Sequence, residues 1–256
     1  MADNIETLLK ESRLYRPSAR TTAEAYIKDY ETEYKKSIAD PEAFWSAMAN
    51  ELHWFSRWTT VLEWNYPWAK WFVGATCNIT YNCLDRHVAS WRKNKVALIW
   101  IGEHDQERMF TYAELYRQVN RCANALKKLG LTKGDRVTIY LPKIPEQVVA
   151  MLACARIGVI HSVVYSGFSA PALASRINDA ETKLVITADV GFDRSKVIPL
   201  KPIVDDALKQ CSSVQHVVMV RRQDSTPQPV GQKEIDWLEW LQVEKPVGEA
   251  EHLDAE

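Results

Sequence analysis

Glycine is scarce in this chain of 256 residues, with nine in all, at positions 74, 102, 130, 134, 158, 167, 191, 231 and 248. Their spacing gives neither G-x-x-x-x-G-K nor G-x-G-x-x-G, which excludes a Walker phosphate loop and a dinucleotide fingerprint. The G-x-S-x-G nucleophile elbow and the H-E-x-x-H zinc helix are missing too. Charge of one sign is not in excess. A formal net charge of −1 gives no attraction for nucleic acid or an anionic membrane. No apolar run approaches the ~20 residues that span a bilayer, and MADNIETLLKESRLYRP lacks the apolar core of a signal peptide.

Cysteine is also sparse. The five, Cys77, Cys83, Cys122, Cys154 and Cys211, form no C-x-x-C pair. Cys77, Cys83 and His87 are near one another but fit no standard zinc spacing, so reduced thiols in a cytoplasmic setting are expected. Asn78-Ile79-Thr80 matches a glycosylation acceptor, a match without meaning unless the chain is secreted.

Tryptophan, by contrast, is concentrated: eight of the ten fall between Trp45 and Trp100. With no basic run interleaved, aromatic packing of an N-terminal layer is the expected role, rather than a stacking surface for bases. Residues 1–94 read as helical or irregular. Thr21 or Thr22 is a candidate cap for a helix through AEAYIKDYETEYKKS, and Asp40-Pro41 for one through EAFWSAMANEL. Trp54 to Pro67 has no period and reads as a loop region. NCLDRHVASWRKN, residues 82–94, reads as a helix whose Arg86 and His87 either serve function or, the commoner case, tie the N-terminal layer to a sheet downstream.

From Val96 the texture changes. VALIWIGE and RMF at 108–110 form a candidate strand pair, and Thr111-Tyr-Ala-Glu114 is a capping box for a helix that stops at Gly130. Near-continuous apolar strands (DRVTIYLP, VIHSVVYSG, KLVITAD, VQHVVMVRR) then alternate with helices (IPEQVVAMLACARIG, SAPALASRINDA, KPIVDDALKQC). Such runs at short spacing predict an α/β fold, a doubly wound, mostly parallel sheet of four strands with helices on both faces. The division expected is 1–94 N-terminal layer, 95–222 α/β subdomain, and a polar segment 223–256 with one helix near Ile235 to Leu241.

Ligands of open α/β sheets bind beyond the C-terminal ends of the strands. Two such places stand out. Ser166-Gly167 ends a strand, and a glycine there admits close approach of a phosphate, though a plain tight turn has the same sequence. The loop Gly191 to Lys196 ends the next, and offers Arg194 and Lys196 as cations, or else a solvated surface loop. No complete catalytic constellation is found.

NCLDRHV, then the run from TYAELYRQVNRCANALKKLG through VVYSGFSAPALASRINDAETKLVITAD, then VIPLKPIVDDAL, together with the tryptophan-rich leader, resembles the N-terminal part of an AMP-forming acetyl-CoA synthetase, of the acyl-adenylate-forming superfamily. The resemblance covers nearly the whole chain. It implies a ligase that joins acetate to CoA through an acetyl-adenylate, with ATP, CoA and Mg²⁺ as the small-molecule requirements. It implies that the phosphate loop, adenine motifs and adenylation lysine lie beyond Glu256, so that this segment alone is catalytically inert. It also implies that Tyr165, Ser166 and Gly167 line a CoA channel and that Arg194, Ser195 and Lys196 meet its nucleotide phosphate. One departure is visible: counted back from Ile198-Pro199-Leu200-Lys201, the position of the family's first arginine is held by Asp193, and the second cation is Lys196. Propionate or acetoacetate as the acid, a non-catalytic binding module, and a homo-oligomer all stay open at this point.

Overall fold

A computed structural model describes residues 13–103, 105–194, 196–223 and 234–256. The chain divides into two compact units, one ending at Glu51 and one running from Leu52 to Glu256.

The first unit is helical. Helices α1 (Ala19–Glu24), α2 (Tyr30–Ala39) and α3 (Pro41–Ala49) each begin at a side-chain cap, namely Ser18, Asp29 and Asp40. The single helix expected from about residue 23 is therefore two. Asp29 accepts a hydrogen bond from the Thr32 amide at 3.2 Å, and this local cap starts a new helix where the charge pattern suggested continuity. Thr21 is not the first cap, because its own amide donates to Ser18 Oγ at 3.1 Å.

The second unit is built on a five-stranded parallel sheet. Its strands are β6 (Arg136–Tyr140), β7 (Ile160–Val163), β8 (Leu184–Ala188), β11 (His216–Val220) and β12 (Glu234–Asp236), in the order β12-β11-β8-β6-β7. Every residue of β8 is buried, as a strand covered on both faces must be. Helices α4 (Tyr112–Lys128), α5 (Pro145–Arg156) and α8 (Trp237–Gln242) pack on one another, and α6 (Ala170–Asp179) packs on α7 (Lys201–Leu208), giving the two helical layers of a doubly wound sheet. The capping box of α4 is present: Glu114 N–H donates to Thr111 Oγ1 at 3.2 Å, and Glu114 Oε2 accepts from the Thr111 amide at 2.8 Å. Leu115, Val119, Cys122 and Leu126 form its buried stripe.

Smaller elements surround the sheet. They are the antiparallel pairs β1 (Thr60–Asn65) with β2 (Trp68–Val73), β4 (Val96–Ile101) with β5 (Glu107–Thr111), β9 (Val190–Asp193) with β10 (Lys196–Pro199), and β3 (Thr76–Cys77) with β13 (Leu253–Asp254). The β1–β2 hairpin falls across the end of the expected loop region. Its Trp64, Tyr66 and Trp68 are exposed, so the apolar and polar alternation that betrays a half-buried strand is absent from its sequence. Trp45 and Trp91 are exposed as well, whereas Trp54 and Trp58 pack with Phe72 at ring separations of 5.0 to 5.3 Å, so the packing role expected of the tryptophans holds for only part of the set.

The helix expected at 82–94 is broken into a π turn (Tyr81–Asp85), one α turn (Arg86–Val88) and a 3₁₀ turn (Trp91–Asn94). Ser90 divides it. Its hydroxyl donates to the His87 carbonyl at 2.9 Å and accepts from the Arg92 amide at 3.2 Å, a local bonding that competes with the helix ladder. At the polar end of the chain, β12 adds a fifth parallel strand just before α8, with Asp236 as the helix cap. At three residues it was too short to read as a strand.

Candidate functional site

Four of the five parallel strands end at one place. Pro142, Lys143 and Ile144 follow β6, Tyr165, Ser166 and Gly167 follow β7, Gly191, Phe192 and Asp193 follow β8, and Arg222 follows β11; together with Trp100–Glu103 at the end of β4 they line a cleft of about 560 Å³. This is where an open α/β sheet binds its ligand, because loops from strands of different neighbours diverge there and leave a crevice.

The Tyr165–Phe168 turn is held from below. Tyr140 ends β6 buried, and its hydroxyl donates toward the carbonyls of Ser166 at 2.9 Å and Phe168 at 2.8 Å. Burial raises the phenol's pKa, which keeps it a donor. Phe168 N–H closes the turn on the Tyr165 carbonyl at 3.0 Å. Gly167 also serves the packing of the turn itself. A Cβ there would lie 2.4 Å from the Tyr165 ring, so the missing side chain makes room for that ring. Tyr140→Phe is expected to cost about 1 kcal/mol, the usual net value of one buried hydrogen bond, in a urea titration. It should leave the sheet intact.

The facing wall is a hairpin where a plain loop was expected. β9 and β10 pair from Val190↔Pro199 to Asp193↔Lys196, and the chain reverses just after Asp193. Arg194 sits in the left-handed region with φ of 47°, the geometry that such turns impose and that glycine or asparagine normally supplies. Nothing in the local sequence announced a turn. Asp193 lines the cleft, while Arg194 and Lys196 are exposed at the tip and are not among the lining residues. Ser195 lies outside the described residues.

Two residues that sequence reasoning missed organise this end of the sheet. Asp189, only 2% exposed at the end of β8, accepts hydrogen bonds from the amides of Val190 (2.7 Å), Arg222 (2.9 Å) and Gln223 (3.2 Å). Its carbonyl accepts from Leu200 and Lys201, so the hairpin, the start of α7 and the strand end after β11 meet at one residue. Arg222 is half-buried and lies over the Phe192 ring at 4.6 Å. Burial lowers its pKa, and the carboxylates of Glu146 and Asp189 oppose that shift; an arginine so placed stays charged. A carboxylate in an apolar strand and a cation 33 positions later carry no shared signal in the sequence.

Cys77, Cys83 and His87 do not converge. Among the described residues no group of three His, Cys, Asp or Glu side chains comes together to hold a metal. Likewise no described helix is long and apolar enough to cross a membrane. Asn78 is buried and donates to the carbonyls of Ala155, Arg156 and Glu251, which makes it a tie between segments.

Comparison with known proteins places this geometry. A model of the AMP-binding enzyme family matches residues 84–253, and a model of the acetyl-coenzyme A synthetase N-terminus matches residues 30–83. The acetyl-coenzyme A synthetase of Gemmatimonas aurantiaca is 51% identical over 222 residues, covering 87% of this chain and 34% of that protein. The one from Streptomyces avermitilis is 45% identical over 255 residues, covering 99% of this chain and 39% of its own length. Among solved structures, an acetoacetyl-CoA synthetase from Streptomyces lividans superposes with a TM-score of 0.82 at 26% identity, over 93% of this chain and 39% of that one. The chain thus spans about a third of the length of the curated relatives it matches, 34% in the first case. On these matches, and on a doubly wound sheet whose strand ends open into one cleft, the chain belongs to the AMP-binding enzyme family.

Proposed function

We propose that this chain is the N-terminal part of an AMP-forming acetate–CoA ligase and that its cleft forms one wall of the CoA channel. In that reaction an acetate oxygen attacks the α-phosphorus of ATP and diphosphate leaves. The CoA thiolate then attacks the acyl carbon, and AMP departs with the carboxyl oxygen. An adenylate is needed because a free carboxylate would have to expel oxide. Mg²⁺, when bound, would offset the phosphate charge, and no described residue of this chain is assigned to hold it.

The observation that carries the reading is the convergence of the Tyr165–Gly167 turn with the β9–β10 hairpin on one cleft at the strand ends. A turn braced by Tyr140 offers a fixed wall for an elongated ligand. On this reading Tyr165, Ser166 and Gly167 face CoA, and Arg194, Ser195 and Lys196, which follow Asp193 in the sequence, are the residues that would meet its nucleotide phosphate. The segment 95–222 is the part that carries the cleft, with 1–94 before it and 223–256 after it. No residue of the chain is assigned to adenylation, since the glycine spacing supplies no phosphate loop.

Acetate is favoured as the acid by the 51% identity to an acetyl-coenzyme A synthetase. The fold match to an acetoacetyl-CoA synthetase supports another short acyl group as the second reading. Isothermal titration of the chain with CoA is expected to show saturable binding, while acetate-dependent ATP–diphosphate exchange should be absent. Lack of CoA binding would refute the channel wall, and exchange turnover would refute the assignment of adenylation to residues elsewhere.

A further inference from the structure

The family pattern calls for a cation where this chain has Asp193, and the structure sets that carboxylate in the cleft lining. The remaining hairpin cations, Arg194 and Lys196, are exposed at its tip. To the cleft lining itself the β9–β10 hairpin contributes an acid, Asp193, and no cation. Lys143 lines the cleft but is exposed.

Arg222 is placed differently. It comes from the end of β11, separated from the Tyr165 turn by β8 and β6 in the sheet order, and still lines the same cleft. Its main chain is fixed by Asp189, which accepts its amide at 2.9 Å. Its guanidinium lies over the Phe192 ring at 4.6 Å, a cation–π contact that holds it beside a residue that also lines the cleft. Among the described residues that guanidinium has no hydrogen-bond or ion-pair partner, although its neighbour Arg221 pairs with Asp236 at 2.8 Å. The Glu146 and Asp189 carboxylates act on it without a hydrogen bond; a half-buried cation has lost part of its hydration before any ligand arrives, and a phosphate can supply bonded acceptors.

We infer that Arg222 is the principal phosphate-contacting cation of this cleft and takes the place left by Asp193 at the nucleotide end of the ligand. The inference rests on the CoA reading for the identity of the ligand, but only on the geometry above for the role of the residue. The chemistry it selects is a phosphomonoester or diphosphate on a nucleoside, held by a planar fork. Lysine would be a poorer substitute, being a point charge without the fork. Asp193 then limits how closely a second anionic group can approach the β9 wall.

The test is titration calorimetry of the wild-type chain, Arg222→Gln and Arg222→Lys with CoA, with ATP, and with pantetheine, which has no phosphate. The expected result is CoA binding weakened at least about tenfold in Arg222→Gln, a smaller loss in Arg222→Lys, and pantetheine heats unchanged by either substitution. Equal CoA affinity in the wild type and both variants would overturn the role of Arg222 and leave the CoA reading standing. Wild-type binding of ATP but not CoA, lost in Arg222→Gln, would uphold the phosphate contact and overturn the CoA reading. Binding of neither phosphate compound would overturn both. If Arg222→Gln fails to fold, Arg222→Lys decides: it keeps the charge, and undiminished CoA binding there would remove the requirement for the fork.

Discussion

Asp85→Ala is expected to destabilise the chain by about 3–5 kcal/mol, seen as a lower urea midpoint at an unchanged slope. Asp85 is the carboxylate of a buried pair. Arg156, at the end of α5, has a side chain only 1% exposed, and it donates to both Asp85 oxygens, at 2.7 and 2.9 Å. The same guanidinium donates to the Gly248 carbonyl at 2.6 Å and faces the Tyr116 ring at 5.3 Å. It therefore joins the turn after Asn78, two helices and the segment near the end of the chain. Removing the carboxylate leaves a buried cation with only the Thr80 hydroxyl and the Gly248 carbonyl as acceptors, and desolvation of that charge sets the size of the loss, not the pair attraction alone. Arg156→Met should cost less, because Asp85 is 16% exposed and can recover some hydration. The reverse order would mean that the arginine's other bonds, not its charge, dominate the joint. CoA affinity measured well below the unfolding midpoint should be unchanged, since Pro145 opens α5 next to the cleft and Arg156 closes it at the other end.

Asp189→Ala is expected to act on both stability and binding. Three amides, those of Val190, Arg222 and Gln223, lose a charged acceptor at once. A cost of about 3 kcal/mol results if part of that loss is relieved by rearrangement or water. The amides belong to the hairpin and to the strand end that carries Arg222, so CoA binding should fall along with stability. Asp189→Asn keeps one acceptor oxygen and should retain part of both. A destabilised Asp189→Ala chain that binds CoA like the wild type, under conditions where it remains folded, would show that this carboxylate does not position the cleft.

The sheet was legible because burial on both faces writes itself as unbroken apolar strands, as in VTIY and LVITA, and because Thr111, Glu114 and Gly130 punctuate α4 with the residues its ends require. The position of the cleft came from the same topology, since strand ends in such sheets are where loops diverge. What stayed hidden depended on contacts distant in sequence or on elements without their usual signals. The β9–β10 hairpin turns at Arg194 with a positive φ and no glycine, and β1 presents aromatic side chains to solvent. Asp189 and Arg222 become partners only once β8 and β11 lie side by side. The contact between the Gly167 position and the ring two residues earlier is likewise not announced by the sequence. The tryptophan cluster misled, because aromatic content predicts buried area only when the rings face inward, and Trp64 and Trp68 do not.

The central claim is that CoA occupies the crevice at the ends of β6, β7, β8 and β11. Amide hydrogen exchange of the chain, with and without saturating CoA, addresses it most directly. Slower exchange confined to the Tyr165–Phe168 turn, the β9–β10 hairpin and the segment at Arg222, with no change in the 81–94 turns, is the predicted result. Protection elsewhere in the chain with these three segments unaltered would contradict it.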